Sequence, residues 1–304
     1  MLVLINGLPH FSKKLADGLN NNQDGVRFVF CNTYQSKLDQ IKFLLLLPFA
    51  KAVISMNGVS DKSGSLSWVL RLKKKLIMQW MGTDILNALK HQQEGNIYRA
   101  YLDYATHWVD ASWLKDEVEQ LGVKAELVQF KKVEPVVLTK GFLELELITY
   151  IPEARKGFYG LDQIIELAYA FPQLKFHLFG MNKGNHTLPS NVHCHGWTSE
   201  KEFLDKMRQC AVFIRLTEHD GNSLSVIQAL NKGCEVVWNY PAPHVHYTAN
   251  PSQNKKALQE ALEQVSLRNL TPNTDNHTYV QNVYSEPVIR MNYIKKVLEV
   301  IQHG

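Results

Sequence analysis

Cysteine is scarce in this chain. Its 304 residues hold four, Cys31, Cys194, Cys210 and Cys234, scattered and with no C-x-x-C pair. That excludes a disulfide framework or a cysteine-based zinc module and reads as buried, reduced thiols in a cytosolic protein. Long apolar runs are also missing. The longest, Phe43-Leu-Leu-Leu-Leu-Pro-Phe-Ala50, is far shorter than the ~20 residues a membrane-spanning helix needs. The N-terminus, Met1 to Phe11, has neither a basic region nor a small-residue cleavage site, so no secretory leader is expected. No G-x-G-x-x-G follows an expected strand, which argues against dinucleotide oxidoreduction. A large excess of one charge is absent too, and a net charge of +4 does not by itself call for nucleic acid.

What is present is a globular composition, 45% hydrophobic and 20% charged, on a length that suits two domains. The charge is uneven. Residues 1–140 hold eighteen Lys and Arg against thirteen Asp and Glu, and the rest hold fifteen against sixteen. The first half is therefore the half suited to face an anionic surface.

Short apolar runs alternate with helical patterns along the chain. Strands are expected at Leu2–Asn6, Val26–Cys31, Ala52–Met56, Leu76–Trp80, Trp108–Ala111 and Ala125–Gln129. The helices between them are expected at His10–Leu19, Tyr34–Leu47, Ser65–Lys75, Asp84–Tyr104 and Trp113–Leu121. The rhythm breaks over Val133–Leu145, which carries Pro135 and Gly141. It restarts with strands at Leu147–Ile151, Lys175–Gly180, Val192–His195, Ala211–Leu216 and Glu235–Asn239. Helices are expected at Gly160–Ala170, Glu200–Cys210, Lys255–Leu267 and Glu286–Gln302, and Thr271–His277 reads as a loop. This order predicts an α/β protein of two Rossmann-like, doubly wound domains facing across a cleft. The divisions are 1–135, 136–285, and a terminal helix, 286–304, returning to the first domain.

The most informative stretch is Arg215 to Trp238. A strand runs into the acidic, glycine-bearing turn Glu218-His-Asp-Gly-Asn222, a helix starts there and ends at Lys232-Gly233, and a second strand comes after it. Backbone N–H groups at such a helix start favour an anion. A carboxylate beside a phosphate-binding turn suggests a ligand with both phosphate and hydroxyls, such as a nucleotide-sugar.

These residues resemble the retaining GT-B glycosyltransferases of family 4. Ala154-Arg-Lys-Gly157 resembles that family's K-G pair after the first strand of its second domain. Asp220-Gly-Asn-Ser-Leu-Ser-Val-Ile-Gln228 occupies its E-x7-E segment. Ala229-Leu230 and Gly233-Cys-Glu-Val-Val237 match its E-A-hydrophobic step and its G-x-P-V-like strand. Phe176–Gly180, His195-Gly-Trp197 and Gln79-Trp-Met-Gly-Thr-Asp84 resemble further strand ends, the last the W-x-G-T-D turn of short bacterial members. Three departures stand out. Gln228 and Asp220 replace the paired glutamates, Tyr150 stands where the family often has arginine, and the first turn, Gly7-Leu-Pro-His-Phe-Ser12, lacks a double glycine.

The resemblance implies transfer of a hexose-type sugar, with retention, from a UDP- or GDP-linked donor to a glycan or lipid-linked acceptor in surface polysaccharide synthesis. Lys156 would neutralise the leaving diphosphate and Asp220 would hold the transferred sugar. Arg155, Gly180, Trp197, Gly221, Asn222, Ser223, Leu224 and Gln228 would bind the donor. Gly7, Gly82, Thr83 and Asp84 would lie on the acceptor side. With no D-x-D pair, no metal and no cofactor beyond the nucleotide-sugar is expected. A non-catalytic, glycan-binding or scaffold subunit is the alternative implied by Gln228 and Tyr150.

Plainer readings stay open beside these. Asp220 and Asp84 each suit a helix cap, Lys156 a solvated lysine, Gln228 an ordinary helix residue and Trp197 simple packing. The histidine pairs 193/195 and 244/246 lack a third ligand at fixed spacing for zinc. Arg71-Leu-Lys-Lys-Lys75 reads as a basic helix end or, with Phe43–Phe49, as a contact to an anionic membrane, where each basic residue contributes about 1 kcal/mol. The chain is thus expected in the cytoplasm, peripheral at the inner membrane face if that contact forms.

Overall fold

The computed structural model describes residues 1–7, 9–20, 25–142 and 144–303. Residue 8 of the first turn and residue 143 of the Val133–Leu145 break lie outside the described residues.

The chain sorts into two compact units, residues 1–132 with 286–304, and residues 133–285. In the first, β1 (Leu2–Gly7), α1 (Pro9–Leu19), β2 (Arg27–Cys31), α2 (Lys37–Leu46), β3 (Ala50–Met56) and α3 (Gly64–Arg71) come first. They are followed by β4 (Lys75–Trp80), α4 (Thr83–Gln93), α5 (Arg99–Tyr104), β5 (Thr106–Val109), α6 (Trp113–Glu119) and β6 (Ala125–Leu127). The six strands form one parallel sheet in the order β2-β1-β3-β4-β5-β6. β1, β3 and β4 are buried along nearly their whole length, which is why they are continuous apolar runs without alternation.

The second unit holds β7 (Glu146–Tyr150), α7 (Leu161–Ala170), β8 (Lys175–Phe179), β9 (Val192–Cys194), α8 (Glu200–Met207) and β10 (Val212–Arg215). It continues with α9 (Leu224–Asn231), β11 (Glu235–Trp238), β12 (His246–Tyr247), α10 (Asn254–Leu267) and α11 (Thr274–Tyr284). Its sheet, again parallel, runs β12-β11-β10-β7-β8-β9. The final helix, α12 (Glu286–His303), belongs to the first unit. It buries Ile289, Tyr293, Ile294 and Val297, and the Tyr293 ring meets Trp108 edge-on at 5.3 Å. Both sheets are thus doubly wound, the architecture of two Rossmann-like domains.

Two expectations are corrected. The helix expected over Asp84–Tyr104 is broken into α4 and α5. Gly95 takes φ +71°, its amide donates to Gln92 O (3.1 Å) and that of Asn96 to His91 O (2.8 Å). This is a helix-ending loop that a left-handed glycine permits. Thr271–His277 is not a loop throughout, because α11 starts at Thr274. The Asn273 side chain caps it, accepting from Asp275 N (3.0 Å) and Asn276 N (3.2 Å). The helix buries Asn276, Val280 and Tyr284, four residues apart, a face too polar to read from sequence. The two-residue β12 is an addition that the sequence does not signal.

Candidate active site at the strand ends of the second unit

In the second unit the chain moves from β7 outward to β8 and β9, then returns to place β10 on the other side of β7. β7 and β10 are neighbours, with Leu147 opposite Val212 and Ile148 opposite Phe213. In open parallel sheets a ligand crevice lies beyond the strand C-termini at this reversal. The loops leaving these two strands carry Lys156 and Asp220.

The two loops are laced together. The Glu218 amide donates to Phe158 O at 2.9 Å. Gly160, at φ +73°, lies so close to Leu216 that a Cβ would sit 2.1 Å from its carbonyl oxygen. The Arg215 guanidinium lies 5.3 Å from the centre of the Tyr159 ring. The Asn239 side chain, just past β11, accepts from Thr217 N (3.1 Å) and donates to Thr217 O (2.6 Å). It thereby prolongs the strand pairing into the loop.

Lys156 is half-buried, with Nζ 3.3 Å from His186 Nε2 and 3.9 Å from Glu153 Oε1. His186 also meets Glu153 at 2.9 Å. The hydrogen bond from His186 holds the exposed Glu153 carboxyl below its ordinary value. Arg155 is exposed, its guanidinium 3.9 Å from the Phe158 ring centre.

Asp220 is largely buried. Its Oδ2 is paired with Arg215 Nε, and its amide donates to Tyr240 Oη at 3.1 Å. Burial pushes the Arg215 guanidinium down, but the Asp220 charge and hydrogen bond outweigh it and leave the group raised.

Gly221, Asn222 and Ser223 are buried and lead into α9. Asn222 turns inward, its Nδ2 donating to Tyr284 Oη at 3.1 Å. Ser223 is the N-cap residue, but its hydroxyl pairs with Ser225 Oγ (3.0 Å) and makes no side-chain cap. Leu224 is the first residue of α9. Gln228 is half-exposed and donates to Glu200 Oε1 at 3.4 Å. The Thr217 hydroxyl is buried with no hydrogen-bond partner among the described residues.

Gly180 ends β8. Its amide donates to Gly196 O (2.8 Å) and its carbonyl accepts from Glu153 N (3.1 Å), so it joins two of the loops. Trp197 is 78% exposed and lies edge-on to the Tyr150 ring, 6.4 Å away. Burial raises the Tyr150 hydroxyl above its ordinary value. The second unit therefore gathers a lysine, an arginine–aspartate pair, a helix start without a side-chain cap and an exposed indole around the ends of β7, β8 and β10. Such a set suits an anionic ligand with a flat ring.

Sequence reasoning missed His186, Glu153, Tyr159, Tyr240 and Glu200. His186, Tyr240 and Glu200 reach the site through contacts across the fold that no local spacing signals, whereas Glu153 and Tyr159 stand three residues either side of Lys156.

In the first unit Gly7 ends β1 and Gly82 precedes α4, whose first residue, Thr83, is exposed. Asp84 is turned to the backbone. It accepts from Gly58 N (2.6 Å), Gly82 N (2.9 Å) and Met81 N (3.1 Å). Burial raises its carboxyl above the usual range despite these amides. Sequence reasoning also missed a cavity of about 320 Å³, lined by Thr33, Tyr34, Ser63 and Ser65 together with Phe43, Leu44 and Trp68.

The histidine pairs considered for zinc have protein partners. His195 meets His177 at 2.9 Å and stacks on Phe179, and His246 meets Glu235 at 2.7 Å. His244 lies 3.2 Å from Asn276 Oδ1. Among the described residues one group has the composition of a metal site, Glu146, His177 and Cys210, with ligand atoms within 4.8 Å of one another. The Lys206 ammonium already lies 2.6 Å from Glu146. Burial pushes the Cys210 thiol up, which disfavours the thiolate a metal needs.

No protein-family model matches this chain, and no curated protein matches it in sequence. Solved structures do match in fold. The sucrose-phosphate synthase of Thermosynechococcus elongatus superposes with a TM-score of 0.66 at 11% identity, covering 100% of both chains. WaaG, a glycosyltransferase involved in lipopolysaccharide biosynthesis, gives 0.62 at 14% identity, also covering 100% of both. The pneumococcal O-GlcNAc transferase GtfA, solved with UDP and GlcNAc, gives 0.58 at 15% identity over 83% of this chain. This chain spans 57% of the length of that enzyme. The fold is that of the GT-B glycosyltransferases.

Proposed function

We propose that this protein is a metal-independent glycosyltransferase that moves a hexose-type sugar from a UDP- or GDP-linked donor to a glycan or lipid-linked acceptor, with retention, in the cytoplasm. One observation carries the reading. Lys156 and the start of α9 come after β7 and β10, the adjacent strands at the reversal of the second sheet. The likeness in fold to glycosyltransferases supports it.

Breaking the bond between an anomeric carbon and a diphosphate builds negative charge on the leaving group and positive charge on the sugar ring. The protein must stabilise the first and orient the second. Lys156 is the amine for the diphosphate, with Arg155 exposed one residue before it. The backbone amides of Gly221, Ser223 and Leu224 add the positive end of α9. Trp197 offers an exposed face to the base. Asp220, held in place by Arg215, presents carboxylate to the sugar hydroxyls, and Gln228 contacts the ribose. On the acceptor side, Gly7, Gly82 and Thr83 are candidates by position at strand ends, whereas the side chain of Asp84 is taken up by backbone amides.

The test is transfer or hydrolysis from a panel of UDP- and GDP-sugars. Wild type should turn over one of them, and Lys156→Ala should lower the rate about 10²- to 10³-fold, as loss of one such electrostatic contact does. A second reading, a non-catalytic glycan-binding or scaffold subunit, is favoured by the Asp220–Arg215 pair, which leaves the site's acid neutralised by the protein itself. Absence of turnover across the panel, with retained nucleotide binding, would select it.

A further inference from the structure

A surface helix ordinarily turns its apolar stripe inward. α2 does the reverse. It buries Phe43, and Leu47 continues it inward, but Leu38 is 80% exposed, Leu45 68% and Ile41 56%. Positions 38, 41 and 45 are spaced to share one helical face. Phe49, past Pro48, is 75% exposed and extends the row. α3 packs on α2 and adds Trp68, with Leu72 just past its end, both exposed. Isolated exposed apolar side chains are ordinary, but three on one helical face, with three more on the adjoining turn and the helix packed beside it, mark a contact surface.

The charge around this row is of one sign. Residues 34–75 hold eight Lys and Arg against two acids, Asp39 and Asp61. By helical spacing Lys37 and Lys42 flank the α2 row. Lys42 Nζ is fixed on Phe30 O (3.0 Å) and Lys74 Nζ on Pro48 O (2.6 Å), at the borders of α2 and the turn after it. The Arg71 guanidinium lies 4.9 Å from the Trp68 ring centre. Leucine, isoleucine and aromatic groups on the outward face, flanked by lysine, is the pattern of a helix lying in a membrane interface. Among the described residues no helix is long and apolar enough to cross a membrane.

We propose that the outward face of α2 and α3 docks the first unit on an anionic lipid bilayer. Leu38, Ile41, Leu45 and Phe49 enter the acyl boundary, Trp68 sits at headgroup level, and Lys37, Lys42, Arg71 and Lys73 meet lipid phosphates. A second copy of this chain is the poorer occupant. A two-fold contact through this face would set each basic rim against its own copy, and lysine is depleted in protein interfaces. The hydroxyl- and aromatic-lined cavity adjoins this face, since Trp68 belongs to both and Leu44, next to Leu45 on α2, also lines the cavity. A hydroxylated acceptor carried in the membrane would therefore arrive beside it. That last step rests on the proposed glycosyl transfer, whereas the docking itself does not.

The experiment is cosedimentation with vesicles of phosphatidylcholine alone and of phosphatidylcholine with phosphatidylglycerol, without any sugar-nucleotide. Wild type should bind the anionic vesicles and release in high salt. Lys37→Gln/Lys42→Gln/Arg71→Gln/Lys73→Gln should weaken binding by two to three orders of magnitude, at about fivefold per cation. Ile41→Glu/Leu45→Glu, both on exposed positions, should abolish binding even in low salt. An unchanged thermal transition for each variant establishes that it is folded. The proposal is overturned if wild type ignores anionic vesicles, if the variants bind as wild type does, or if light scattering finds a dimer that Ile41→Glu/Leu45→Glu dissociates. UDP binding by the same variants is measured separately, so failure of the membrane contact leaves the donor site untouched, and the reverse.

Discussion

The backbone amide of Glu218 donates to the carbonyl of Phe158 across 2.9 Å. That bond joins the loop carrying Asp220 to the loop carrying Lys156, so the two are positioned as one element at the ends of β7 and β10. Close approach at Gly160 and the Arg215–Asp220 pair complete the joint. The site's geometry is therefore a property of the second unit's own packing.

Gly160→Ala should open this joint. The new methyl would clash with Leu216 O, and the residue would be held at φ +73°. Strain and overpacking together should cost at least about 2 kcal/mol. Denaturant titration checks this, and a variant as stable as wild type would contradict the packing described.

Arg215 and Asp220 are each largely buried. Removing one partner leaves a charge without its counter-ion, so Arg215→Met should destabilise by about 3–5 kcal/mol. Arg215→Met/Asp220→Leu should recover much of that loss, because it removes both charges. The double-mutant cycle is read from urea midpoints. Independent, additive effects would show that the pair is not coupled.

Stability should fall in acid in two overlapping steps. Burial, then the Lys206 charge, lowers the His177 ring to about 4. The unfolded chain takes up that proton near 6.5, so the folded state loses ground as pH drops from about 6.5 to about 4. Burial pushes Glu146 up, but the Lys206 hydrogen bond, His177 and Lys175 outweigh it and bring it to about 2. Its contribution is full above about 4.5 and is lost between there and about 2. Thermal melts against pH should show both limbs, and His177→Gln should remove the upper one and shrink the lower one, because His177 is among the charges that hold Glu146 down.

The doubly wound order was legible because buried parallel strands are short apolar runs that interrupt helical periodicity. Leu147–Ile151, for instance, differs from β7 by one residue at each end. What the sequence hid was set by contacts far along the chain. α11 was hidden because Asn276 is buried by donating to Cys234 O at 2.9 Å, which makes a polar residue a core residue. Gly95 offered a signal for the helix break, and its weight depends on a left-handed turn that periodicity does not register. At the site, Lys156 and Asp220 could each be singled out from the turn after an expected strand, but His186, Tyr240 and Glu200 approach from 30, 20 and 28 residues away.

Titration calorimetry of UDP and GDP into wild type and Lys156→Ala tests the donor site most directly. One nucleotide should bind wild type and bind the variant about 10- to 100-fold more weakly, the value of one charge-assisted contact. Equal affinity in the two proteins, or no binding of either nucleotide, would contradict a diphosphate site at the ends of β7 and β10.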